Sequence, residues 1–153
     1  CYYNVLETCR LIGGTPRLGW LIWEQPGIYL TAEHHAVLEL DGRLCDVTPQ
    51  LHGERGVLFL PVPDPWPEEP IFTPNRYTAL SDHELVRRAV RLTETNQILF
   101  GSGGYGSFLY RRNEDEAVGC MDEYLRLIEL RRVRAARKVE RARKKAARKR
   151  RKG

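Results

Sequence analysis

At 153 residues and 42% hydrophobic, with 3 Trp, 7 Tyr and 4 Phe, the chain has the size and apolar content of one domain with a real core. No apolar run approaches the ~18–20 residues a membrane span needs, so no transmembrane helix and no membrane partner are expected. The four cysteines, Cys1, Cys9, Cys45 and Cys120, are too sparse for a disulfide scaffold and form no Cys-x-x-Cys zinc pair, which predicts free thiols in a reducing cytoplasm.

The net charge of +5 conceals a split. Residues 131–153 hold 14 Lys or Arg against one acid, a net +13, whereas residues 1–130 carry 11 basic and 19 acidic residues, a net −8. This predicts a mildly acidic domain over residues 1–130 and a basic helical tail over residues 131–153.

In chain order, Cys1 comes first, with neither an initiator Met nor a signal-peptide pattern. That predicts either processing that exposes the cysteine or an upstream segment outside the sequence. Val5, Cys9 and Ile12 recur at helical spacing over Tyr2–Ile12, and Gly13-Gly14 closes the helix. Leu18–Trp23 reads as a strand stopped by Pro26-Gly27. Ile28–Leu40 reads as a longer strand, paired with Arg43–Val47 through Asp41-Gly42, a strong two-residue hairpin signal. Leu58–Leu60 predicts a short strand. Pro61, Pro63, Pro65, Pro67 and Pro70 exclude a long regular element and predict a wrapping loop or lid. Ser81-Asp-His-Glu84 reads as a capping box opening a helix to about Leu92–Thr95. A glycine loop over residues 101–107 precedes a last helix from about Glu114 that continues into the tail, with Val118, Met121, Leu125 and Ile128 as its packing face. The fold class expected is α+β, a small antiparallel sheet packed against the Cys1 helix with helices C-terminal.

The hairpin fixes a register. With Asp41-Gly42 as its loop, Leu40 opposes Arg43, Asp46 opposes Val37 and Thr48 opposes His35. Opposed residues share a sheet face, so His35 and Asp46 become diagonal neighbours and His34 points the other way. A histidine beside an aspartate is the base-and-orienter half of a nucleophilic site. Cys1 supplies a thiol at a helix start, where the dipole favours thiolate. Cys9, mid-helix and apolar, reads as core, as does Cys45 on the face opposite Asp46. Trp20 and Trp23 read as core or cleft wall. Glu33, His34, Cys45 and His52 offer ligand types without a ligand spacing, so neither a metal nor a cofactor is expected.

Cys1-Tyr-Tyr-Asn-Val5, Glu33-His-His-Ala-Val37 and Leu44-Cys-Asp-Val-Thr-Pro49 together resemble the core of the papain-like, transglutaminase-like cysteine hydrolases. That core has Cys at a helix start, then His and Asp on consecutive antiparallel strands. The Cys-x-x-Asn-Val opening is similar to that of the protein N-terminal glutamine amidohydrolases. The resemblance covers about 50 of the 153 residues. It implies a cysteine-dependent amide hydrolase or acyltransferase (a peptidase, deamidase or amidase) acting on a peptide or protein amide through Cys1, His35 and Asp46. The other class is a non-enzymatic nucleic-acid-associated or interaction module. The tail suits it: clusters such as Arg141-Ala-Arg-Lys-Lys145 reward phosphate charge but lack aromatics for base stacking.

Overall fold

The computed structural model describes residues 1–49, 56–63, 65–67 and 72–150, with side chains to residue 144. Its elements are α1 (Tyr2–Ile12), β1 (Thr15–Gln25), β2 (Tyr29–Leu40), β3 (Arg43–Cys45), β4 (Leu58–Pro61), β5 (Arg76–Ala79), α2 (Glu84–Gly101) and α3 (Phe108–Arg150). The class is α+β, with one antiparallel sheet and the long helices C-terminal.

The sheet grows from its longest hairpin. β1 and β2 pair without a bulge from Thr15↔Glu39 to Gln25↔Tyr29, around a turn in which Gly27 takes φ 71°. β4 adds to the free edge of β1. On the other edge of β2, β5 pairs with Tyr29–Ala32 and β3 with Leu38–Leu40. Residues 33–37 of that edge face no strand among the described residues. The β2–β3 connection follows the sequence reading: Leu40↔Arg43, Glu39↔Leu44 and Leu38↔Cys45, with Asp41 and Gly42 both at positive φ (49° and 72°). A type I′ turn needs that backbone, and Gly adopts it without a steric penalty.

α1 begins at Tyr2 and ends where Gly13, at φ 83°, donates to the Cys9 carbonyl. Its buried residue, Val5, joins Leu18 and Ala36 in a core cluster. α2 and α3 pair through Ala89, Ala117 and Cys120. Small residues let the two helix backbones approach closely. Buried Asn96 ties the pair together by donating to the Tyr110 carbonyl at 2.9 Å.

Several expectations are corrected. Strand β5, a short Arg-Tyr-Thr-Ala stretch, carries too few residues for its alternation to be read. β3 stops at Cys45 instead of Val47. Cys45 is exposed rather than packed, because among the described residues β3 has no outer neighbour. α2 has His83 at its N-cap, its Nδ1 accepting from the Leu85 N–H. Ser81 instead accepts from the His83 N–H and the Tyr124 hydroxyl. The helix continues to Gly101, since no helix breaker intervenes. α3 starts six residues before Glu114, at Phe108, after Ser107 takes the Tyr110 N–H. Its packed face is Asn113, Ala117, Cys120, Met121 and Ile128, leaving Val118 and Leu125 exposed. The close Ala89–Ala117 contact sets the rotation of α3, overriding the larger apolar side chains. As expected, α3 continues past residue 131 into the basic tail, without a break to Arg150. His52 and Pro70 lie outside the described residues.

Candidate functional site

β2 carries two adjacent histidines, and strict alternation along an unbulged strand sends them to opposite faces. One face of the sheet carries Leu18, Ala36 and His34, and α1 packs on it. The other carries His35, with Gly19 directly across the hairpin.

His35 is buried at 4% exposure. Its Nε2 lies 3.1 Å from Asp46 Oδ1, as the two-residue turn requires. Just beyond β3 the chain folds back so that the Thr48 N–H donates to the same Oδ1 at 2.9 Å. This Asx-type turn ends the strand and holds the carboxylate in place. Burial pushes the Asp46 carboxyl up. The hydrogen bonds from His35 and from the Thr48 N–H, with the charge attraction of His35, outweigh it, so the group sits below the ordinary carboxylate range. An ionised carboxylate only accepts, so Nε2 is the protonated nitrogen of His35 when the ring is neutral. Nδ1 is then the nitrogen left to exchange a proton.

Cys1 caps α1, its carbonyl accepting from the Val5 N–H at 3.1 Å. It packs, half-buried, against the Val5–Leu18–Ala36 cluster along with Tyr2, Cys9, Val47 and Trp66. The histidine on this side of the sheet is His34. Tyr2 meets it directly, with Oη 2.6 Å from Nδ1. Burial raises the Tyr2 phenol, so it stays protonated and donates, leaving neutral His34 with its proton on Nε2. Trp20 packs edge-on to His34 at 5.0 Å between centroids, and Trp66 sits 5.5 Å from Tyr2. The Arg76 guanidinium lies 4.7 Å above the Trp20 ring.

Of the three residues singled out by sequence, the structure joins His35 to Asp46 and places Cys1 on the helix that covers the His34 face. Tyr2, Trp66 and Arg76 were missed. Arg76 arrives on β5, which left no sequence signal. Tyr2 was legible only as part of a helix, because its partner depends on which face α1 covers. Among the described residues no three or more His, Cys, Asp or Glu side chains converge to hold a metal, and no helix is long and apolar enough to cross a membrane. Comparison of the chain with protein-family models, curated proteins and solved structures finds no match.

Proposed function

We propose that the chain is a cysteine-dependent amide hydrolase or acyltransferase, with Cys1 as nucleophile, His35 as acid–base and Asp46 as its orienter. The buried His35–Asp46 pair carries this reading: a carboxylate held ionised by His35 and the Thr48 N–H fixes the imidazole tautomer and stabilises the imidazolium that forms. The Cys1 thiolate would attack the carbonyl carbon of the amide, and His35 Nδ1 would pass the proton to the departing amine. Water, or a second amine, would then attack the thioester and release the thiol. This reading requires thiol and Nδ1 to meet across the stretch of β2 edge, residues 33–37, that faces no strand among the described residues.

A second assignment within the same chemistry makes His34 the proton carrier for Cys1. The packing of α1 on the His34 face and the Tyr2–His34 hydrogen bond favour it.

Thiol alkylation separates the readings. Iodoacetamide at pH 6, followed by mass spectrometry, is expected to label Cys1 ahead of Cys9, Cys45 and Cys120. The His35→Asn and Asp46→Asn variants are expected to slow Cys1 labelling by about tenfold or more, the scale of a lost activating base. Loss in His34→Asn and Tyr2→Phe instead would transfer the role to His34. Unchanged labelling in all four variants, with no preference for Cys1, would leave the hydrolase-like core as a scaffold only.

A further inference from the structure

We infer that the C-terminal half of α3 is an arm that binds duplex nucleic acid along its phosphate backbone, through one basic face of the helix. The inference is independent of the thiol chemistry. Among the residues of α3 whose side chains are described, Val133 is the last half-buried one, and every residue from Arg134 to Lys144 is exposed. The arm is nevertheless helical to Arg150. Its sequence explains this: from Arg134 to Arg150 it holds only Ala, Arg, Lys, one Val and one Glu, nearly all strong helix formers. Glu140 pairs with Lys144 one turn on, at 2.6 Å. At 1.5 Å per residue these 17 residues span about 25 Å, most of one duplex turn.

The charge is not spread evenly around the rod. Arg134, Arg137, Lys138 and Arg141 recur at i, i+3, i+4 and i+7, and the sequence continues the spacing at Lys145 and Arg148. At ~100° per residue these positions fall in one stripe about 100° wide. Ala135, Val139 and Ala142 form a neutral stripe beside it. A helix of ~10–12 Å diameter fits a groove about 12 Å wide and brings such a stripe against the phosphates. A membrane surface is a poor match: the neutral stripe has no Trp, Phe or Leu to enter acyl chains. Single strands are also a poor match, because residues 131–153 contain no aromatic on which bases stack. The net −8 of the other 130 residues disfavours approach of a polyanion to the body, so the interaction is assigned to the arm.

The test is fluorescence anisotropy of the full chain with duplexes of arbitrary sequence, DNA and RNA, from about 50 to 300 mM salt. Two double variants remove equal charge from opposite sides of the helix: Arg134→Gln with Arg141→Gln on the stripe, and Arg132→Gln with Arg143→Gln behind it. Circular dichroism checks that helix content is unchanged. The intact chain is expected to bind either duplex with a steep inverse salt dependence. The stripe pair should weaken binding about tenfold and lower the log–log salt slope by about 2, with the rear pair changing the slope by less than about 0.5. Equal losses from the two pairs would overturn the one-face geometry. Absence of duplex binding at the lowest salt would overturn the inference, as would binding only to phosphatidylserine vesicles or only to single strands.

Discussion

Asp46 illustrates how a single residue couples stability to pH. Its carboxyl lies below the ordinary carboxylate range in the folded protein and returns to that range on unfolding. The folded state therefore gains stability that is fully present above the unfolded value and is lost as pH falls through the folded one. Replacing Asp46 with Ala leaves the buried His35 nitrogen and the Thr48 N–H without their acceptor. We expect a loss of about 2–3 kcal/mol at pH 7, measured by urea denaturation. Asp46→Asn should flatten the acid limb of the stability profile between about pH 5 and 2. An unaltered acid limb in that variant would place the titrating group elsewhere. The adjacent His34 follows other logic: its partner is a phenol kept un-ionised by burial. Neighbours in sequence thus have different chemistry because the strand turns them to opposite sides.

At the level of elements, the sheet owes its width to one glycine. Gly19 sits opposite both His35 and Pro61, and a methyl group there would overlap the Leu60 carbonyl oxygen and the Phe59 ring. Since backbone cannot yield as a flexible side chain does, Gly19→Ala is expected to displace β4 and cost about 1–3 kcal/mol, read as a lower denaturation midpoint. A wild-type midpoint would show that β4 shifts freely. The two C-terminal helices follow the same rule in the opposite sense. Ala89 and Ala117 are small because the helices touch there, and this contact, rather than the bulk of Val118 or Leu125, decides which side of α3 is covered.

Over the whole molecule, a sheet-and-helix body of net −8 continues without a break into a basic segment, residues 131–153, of net +13, helical as far as Arg150. Among the described side chains burial ends near Val133, so the arm from Arg134 to Lys144 adds charge and length with almost no core. Deleting Arg134–Gly153 is expected to leave the thermal midpoint within about 2 °C and to abolish duplex binding. A fall of more than about 5 °C would mean the arm returns to the body.

The sequence by itself determined the bounds of α1, the β2–β3 register with His35 rather than His34 beside Asp46, and the division of charge. Each is a local consequence of backbone sterics: a glycine pair that ends a helix, a two-residue turn that leaves one register, and a strand period of two that assigns faces. Local patterns specify that His34 and His35 diverge, but not which of the two faces the helix covers. Only the tertiary structure decided that α1 packs on the His34 side, that Arg76 is delivered by β5 to the ring of Trp20, and that α3 is rotated by its alanine contacts. Those choices depend on how residues far apart in sequence fill space together, and the energy that selects them is spread over packing that no short pattern encodes.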